Sequence, residues 1–473
     1  MLNGLGAEAV RADVFITGDE IVFVGPSPLN STELAAQVGR VIDAGGRILA
    51  PGFIDLHSHG DPLKTPAFEN FLAMGVTTIT LGQDGSSPEV PSLGQWLDAV
   101  SQAGIGPNLA MLVGHGTLRN LSGIRDAVEP EADDMERMLT LLDEELDACF
   151  GLSTGLEYHP GLYAQPAELQ ALAQVTGRRD RLIMSHLRNE DNDQMRASLD
   201  ELLAQGKHSR VHVAHIKSVY GKGTEEADAI LMQLHQARDA GVRVSADIYP
   251  YNASFAGISL LFPVWSKTTG QFEAALQNRR GELEEFLRKK IAKRNGPAAT
   301  LLGTPPYTGK TLADLMAETG QPVEQVLIGI GPQGAAGAYF IMDETLQNRL
   351  LIDPLVSVAS DGRLEGFHPR GHGTFARVIE EFVVKQSLLT LPEAIRKMTS
   401  QPASVLGISD RGVIKAGYKA DLVLFDPARV KANATYPQPH QLADGFDLVV
   451  VNGQIARENG VLDSALHGQV LKP

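Results

Sequence analysis

His57-Ser58-His59 closes an apolar run at residues 48–59 (ILAPGFIDLHSH). In an extended strand, residues i and i+2 point the same way, so both imidazoles face one cavity. Neutral imidazole is a good ligand for Zn²⁺. Alone the pattern is weak, because so short a motif recurs by chance. Two further histidines, His186 in RLIMSHLR and His215 in RVHVAHIKS, close later apolar runs. A single strand-end histidine is more often a hydrogen-bonded structural group than a ligand; two more aimed at the same mouth reverse that reading. Asp361, in PLVSVASDG, sits where aspartate often merely starts a turn before glycine. Beside four histidines it reads as ligand, general base, or both. Such a set suits metal-assisted hydrolysis, in which the ion lowers the pKa of its water and polarises a carbonyl.

These side chains need a scaffold that brings distant segments to one place. Eight short apolar runs, each ending in polar residues, fall at 48–59, 77–85, 108–116, 149–158, 181–188, 210–218, 243–251 and 354–362. Continuous apolar runs of this kind are the mark of parallel strands covered by helices. Between them lie helix-period segments, clearest at 135–148 (MERMLTLLDEELDA) and 227–240 (ADAILMQLHQARDA). The alternation fits a barrel or a doubly wound sheet. In a barrel every strand's carboxyl end opens into one shared mouth. Those ends here carry His57, His59, Asp84, His115, Glu157, His186, His215 and Asp361, which favours an α/β fold of the (β/α)8, TIM-like type.

The barrel is expected over 48–410, with an insertion at about 258–353 between strands seven and eight that contains the charged helical stretch 281–293. A long insertion on the active-site face is more often a lid or substrate-shaping subdomain than disorder. Residues 13–47 and 411–455 alternate apolar and polar with glycine turns. They predict one small composite β-sandwich domain built from segments 1–47 and 411–473.

The 473-residue chain carries a net charge of −16. That balance disfavours nucleic acid or an anionic membrane as partner, since both need a basic footprint. Cys149 is the one cysteine, which excludes an intrachain disulfide and a cysteine-based zinc cluster. No apolar run approaches the ~20 residues of a membrane-spanning helix. The N-terminal residues have neither a basic stretch nor an apolar one, so a cytoplasmic protein is expected.

The constellation HxH, His, His and Asp on strands one, five, six and eight resembles the amidohydrolase superfamily. PGFIDLHSHGD, GLSTGLEY, SHLRNE, VAHIKS, DIYPYNAS, ASDG and HPRGHGTFARVI resemble the N-acyl-D-amino-acid deacylase (D-aminoacylase) family, in its order and over nearly the whole chain. GVIKAGYKADLVLFDP resembles the returning β-domain segment of the superfamily. The resemblance implies a zinc-dependent deacylase of N-acyl-D-amino acids, with one or two ions per chain and a small-molecule amide as its partner. It implies that His186 and His215 hold the tightly bound zinc, that His57 and His59 serve a second position, and that Asp361 is the catalytic acid/base. Lys217, Tyr249 and Arg370 match substrate-binding positions, Arg370 holding the substrate carboxylate through its bidentate fork. His115, at the end of the third run, is a further candidate for substrate contact, or a structural hydrogen-bonder.

Two departures stand out. The family usually places a cysteine ligand in a Gly-Asn-Cys-Gly turn after strand two, where this chain has Gly82-Gln83-Asp84-Gly85. Many superfamily members bridge two metals with a carboxylated lysine on strand four, where this chain ends in Glu157 and has no lysine over 149–163. The anionic ligand is therefore expected to be Glu157, with Asp84 as the alternative. The other is that the chain opens on only Leu2-Asn3-Gly4 where the family's first β-strand ordinarily precedes a glycine-rich turn. Other readings of the same scaffold are a dipeptidase, a cyclic-amide hydrolase, or a barrel that binds without catalysing.

Overall fold

The computed structural model describes residues 1–29 and 31–473. Eight parallel strands form the central sheet: β1 (Phe53–Asp55), β2 (Val76–Leu81), β3 (Asn108–Gly114), β4 (Gly151–Gly155), β5 (Leu182–His186), β6 (Arg210–Val213), β7 (Val244–Ile248) and β8 (Val356–Val358). They neighbour one another in chain order, from β1 through β8. The sheet closes through Ser58 and Gly362, which form a parallel bridge. Two backbone bonds reinforce it, His59 N–H to Gly362 O at 2.8 Å and Asp361 N–H to His57 O at 2.8 Å. Closure thus falls on the residues that carry the candidate chemistry.

Alternation along the strands separates two cores. Leu182 and Met184 of β5 join Ile54, Ala110, Leu112, Phe150, Ala214 and Ala359 in a cluster inside the barrel, closed below by Ala403 and Leu406. Ile183, with Leu109, Met111 and Val113 of β3, packs outward against the helices. Continuing the β5 parity brings His186 to the inner side, above Met184. The helix Gly223–Asp239 buries Ala227, Ile230, Leu231 and Leu234. Spacing of three and four residues puts these on one stripe, and each fully buried aliphatic side chain stabilises by ~1.5–3 kcal/mol. The helix Ala132–Glu145 seats Met138 and Leu142 in the same way.

One expected strand proves to be two. Residues 48–59 form a single apolar run in the sequence, but Ile48–Pro51 pairs antiparallel with Leu422–Phe425 and belongs to another sheet. The break falls at Gly52, whose N–H donates to Asp421 O at 2.8 Å. A Cβ at Gly52 would collide with Thr77, so the chain passes between the sheets only as glycine. That second sheet has five strands, in the order Val461–Leu462, Gln454–Glu458, Phe446–Val451, Leu422–Phe425 and Ile48–Pro51. The hairpin Asp13–Thr17 and Glu20–Gly25 packs Ile21, Val14 and Val24 onto Leu422, Leu424, Leu448 and Val450 of this sheet. Strands from both chain ends thus pack on one another here.

Between β7 and β8 the chain forms a three-stranded sheet of Ser254–Gly257, Ala336–Tyr339 and Thr300–Leu302. It has its own apolar cluster, including Leu261, Leu283, Leu287, Leu302, Leu327 and Tyr339. This segment begins at Ser254 rather than at about 258, because Ser254–Gly257 is a strand of its sheet. Among the described residues no helix is long and apolar enough to cross a membrane.

Candidate metal centre

The carboxyl ends of β1, β2, β5, β6 and β8 deliver His57, His59, Asp84, His186, His215 and Asp361 to one place. His57, His59, Asp84 and Asp361 can offer ligand atoms to a common ion, as can Asp84, His186 and His215. His57 Nε2 and His59 Nε2 each lie 3.4 Å from Asp84 Oδ2. Asp361 Oδ1 is 3.1 Å from His59 Nε2 and 3.6 Å from His57 Nε2. On the other side, His215 Nε2 lies 3.4 Å and His186 Nδ1 3.7 Å from Asp84 Oδ1. Atoms bound tetrahedrally at ~2.0–2.1 Å from zinc would stand about 3.4 Å apart. The spacing matches.

The buried chemistry fits an ion as well. His57 is fully buried, yet neither ring nitrogen has a hydrogen-bond partner, a state that buried polar groups rarely tolerate. Burial alone would disfavour charge on Asp84, but the flanking His57, His215 and His59 hold its carboxyl well below the usual range. Burial works against a charged His215, but Asp84 and Glu190 pull its pKa up to about 10. An ion entering the site has to displace protons from such imidazoles.

Three of these residues sit in the left-handed backbone region, which costs non-glycine residues strain: Asp84 (φ 54°), His215 (φ 35°) and Asp361 (φ 49°). Each is held there by neighbours. The turn carrying Asp84 begins at Gly82, with φ 81°, where a Cβ would meet the carbonyl of Leu112. Gln83 Nε2 donates to Leu56 O at 2.7 Å, and Gly85 N–H donates to Ser153 Oγ at 3.0 Å. Asp247 Oδ1 accepts the His215 N–H at 2.6 Å, while Oδ2 lies 2.8 Å from His212 Nε2. Asp55 accepts the N–H groups of His57 (3.2 Å) and Ser360 (2.9 Å), tying β1 to β8 beneath Asp361.

Glu157, expected as the anionic ligand, stands elsewhere. Its Oε2 is 3.2 Å from His186 Nε2, the nitrogen opposite the one that faces Asp84. A neutral imidazole has one lone pair, so a His186 that gives Nδ1 to an ion offers Nε2–H to Glu157. Glu157 and Glu190 do make a further ligand-competent group with His186. The structure places Asp84, not Glu157, between the two histidine pairs. Lys217, expected at the substrate, contacts Glu190 and His215. Its Nζ lies 2.6 Å from Glu190 Oε1 and 2.7 Å from His215 Nδ1, and it is 3% exposed.

His115 likewise turns away from the mouth. A helix, His115–Ser122, starts on it directly. Its Nε2 lies 2.7 Å from Glu168 Oε1, which also pairs with the buried Arg119 at 2.8 Å. Arg370 is at the mouth, with Nη1 2.6 Å from Asp361 Oδ2 and its guanidinium 4.8 Å from the Tyr249 ring centre. Above these groups opens a cavity of about 830 Å³ whose lining includes His59, Asp84, Asp361, Arg370, Arg363 and Phe255. Phe255 and Ala256 come from the inserted sheet, so that segment shapes the cavity wall.

A family model described as the amidohydrolase family matches residues 348–457. N-acyl-D-glutamate deacylase of Alcaligenes xylosoxydans xylosoxydans is 34% identical, over 96% of this chain and 91% of its own. The crystal structure of N-acyl-D-glutamate deacylase from Bordetella bronchiseptica, complexed with zinc and a phosphonate mimic of the tetrahedral intermediate, is similar with a TM-score of 0.85. Identity there is 30%, covering 100% of this chain and 98% of that one. A D-aminoacylase structure, described as having a binuclear metal centre with one-metal activation and second-metal attenuation, gives 0.84 at 28% identity, with coverage of 100% and 98%. The chain belongs to the N-acyl-D-amino-acid deacylase family of the amidohydrolase superfamily.

Proposed function

We propose that this protein hydrolyses the amide bond of N-acyl-D-amino acids, giving a carboxylate and a free D-amino acid. The observation that carries the reading is the convergence of two histidine pairs on Asp84 and Asp361, beside Arg370, at a cavity that His59, Asp84, Asp361 and Arg370 line. A volume near 830 Å³ suits a small amide rather than a macromolecule. His57, His59, Asp84 and Asp361, and Asp84 with His186 and His215, would hold divalent ions, with zinc the first candidate. When bound, such an ion lowers the pKa of water and polarises the scissile carbonyl.

The protein's own groups supply the rest. Asp361 takes the proton from the attacking water as the C–O bond forms. It then delivers that proton to the nitrogen as the C–N bond breaks, so the leaving group departs as a neutral amine. Arg370 moves its fork from Asp361 to the substrate α-carboxylate, which fixes the register of attack. Tyr249 supports the guanidinium from below. Lys217 acts through His215 and Glu190 as a positioning residue, and Glu157 orients His186.

The test is release of free amino acid from N-acetyl derivatives of D- and L-Glu, Asp, Leu and Phe, before and after chelation. D-selective, metal-dependent release is expected. Equal D and L turnover would overturn the substrate assignment, and cleavage of D-dipeptides or hydantoins in place of N-acetyl amino acids would move it elsewhere on the scaffold.

A further inference from the structure

We propose that the cavity carries an apolar acyl pocket on its β2–β3 side, so that this protein prefers N-acyl-D-amino acids whose acyl group is a hydrocarbon chain longer than acetyl. The inference rests on the deacylase reading above and names the acyl class that the site selects. Arg370 follows β8 and Tyr249 follows β7, so the substrate carboxylate belongs on that side of the centre. With the carboxylate there and the scissile carbonyl over Asp361 and Asp84, the acyl carbon points away from Arg370, toward the ends of β2 and β3. The cavity continues on that side, where its lining includes Leu81, Trp96, Met111, Pro88 and Gly116. Its volume of about 830 Å³ lies in the range that holds drug-sized ligands, well beyond an N-acetyl amino acid.

Leu81 and Met111 are partners in the β2–β3 register, so their side chains emerge on one face. Trp96 comes from the helix Leu93–Ala103 and packs, partly buried, against the cluster that holds that pair. The polar groups beside them are already engaged with one another. Thr117 Oγ1 donates to Ser87 O at 2.9 Å and accepts the Ser87 N–H at 3.0 Å. Ser87 Oγ accepts the Gly114 N–H at 3.0 Å, and Asn120 Nδ2 donates to Glu89 Oε1 at 2.5 Å. Among the described residues, the lysine and arginine side chains lining the cavity are Lys64, which Asp61 holds at 3.1 Å, and Arg363 and Arg370, both after β8. A carboxylate at the end of the acyl chain would meet Glu89 and no free cation on this side, and would go unpaired. A hydrocarbon chain gives up only its contact with water.

The experiment measures release of D-leucine by the full-length, zinc-loaded protein from its N-acetyl, N-butanoyl, N-hexanoyl and N-succinyl derivatives. Each buried methylene should raise kcat/KM about three- to fourfold, and the gain from acetyl to hexanoyl should be about tenfold or more. N-succinyl-D-leucine should fall well below the butanoyl derivative. Trp96→Ala should lower the hexanoyl-to-acetyl ratio. Should that variant fold poorly, Trp96 itself reports: in Trp265→Phe it is the one indole left of the two in the chain. Its emission should then respond to hexanoate and not to acetate at equal concentration. A flat acyl series, or succinyl turnover equal to butanoyl, overturns the pocket. So does a gain from N-acetyl-D-alanine to N-acetyl-D-norleucine with none along the acyl series, which would give this side to the amino acid side chain. No amino acid from any derivative, with Trp96 still responding to hexanoate, would sink the deacylase function and leave the pocket standing.

Discussion

Replacing Arg370 with lysine separates charge from geometry at the cavity floor. Arg370 is 5% exposed and fixed before any substrate arrives. Nη1 pairs with Asp361 at 2.6 Å, Nη2 donates to Phe255 O at 3.3 Å, and the plane lies over Tyr249. A planar fork held this way can present two parallel donors to an α-carboxylate, whereas an ammonium presents a point charge. The substitution thus forfeits about one charge-assisted hydrogen bond, worth about 1.5–3 kcal/mol. That is a loss of roughly 10- to 150-fold in kcat/KM. Most of it should appear in KM, because the α-carboxylate is bound alike in ground and transition states. The assay is steady-state release of amine from an N-acetyl-D-amino acid and from its carboxamide, which lacks the anion. Arg370→Lys should narrow the preference between the two by the same factor. A change within twofold for the acid refutes the clamp. Equal losses on both substrates would place the damage on Asp361 instead.

Glu168→Gln removes the carboxylate between His115 and the fully buried Arg119, leaving that guanidinium without its partner. A destabilisation of about 3–5 kcal/mol is expected, read as an earlier urea midpoint at pH 7. Burial opposes the charge on Glu168, but His115 and Arg119 outweigh it and hold the carboxyl below the ordinary value of 4.5. The stability it contributes is therefore present above pH 4.5 and lost below it, so the gap between variant and wild type should close on acidification. Glu157→Gln should weaken the ion at His186 and His215 by about 10- to 100-fold without unfolding the protein, measured by competition with a chromogenic chelator; unchanged affinity would return Glu157 to a passive role. Gly82→Ala forces φ 81° on a residue with a Cβ and pushes that Cβ against the Leu112 carbonyl. It should cost more than 1 kcal/mol and lower metal loading, because Asp84 rides on the same turn; full loading with unchanged stability would contradict this.

Much of the barrel is legible in the sequence because parallel strands are continuous apolar runs and their ends converge. His57, His59, His186, His215 and Asp361 can be grouped from the sequence, since a strand end has one direction. Gly52 could not be read as a boundary, because 48–59 is apolar on both sides of it, and only its pairing with Asp421 reveals the change of sheet. Asp84 lies two residues after the left-handed Gly82 and is itself at φ 54°, so the period-two rule that placed the histidines does not extend to it. His115 ends a strand as His186 does, but a helix begins on it at once and turns the ring to Glu168. Asp55 and Asp247 carry a signal of their own in the sequence. Each is an acid within an apolar run (FIDL, SADI), and a buried carboxylate there must have a partner. Glu190, four residues after His186, carried no comparable sign.

The most direct test pairs metal content with product. Wild type and Asp361→Asn, each stripped and reloaded with Zn²⁺, are given N-acetyl-D- and N-acetyl-L-glutamate, and free amino acid is measured against bound zinc. Free D-glutamate from reloaded wild type, with none from the stripped protein and a loss of at least a hundredfold in Asp361→Asn at retained zinc, is the expected result. Equal release from stripped and reloaded protein, or undiminished release by Asp361→Asn, would contradict a metal-dependent deacylase with Asp361 as its acid and base.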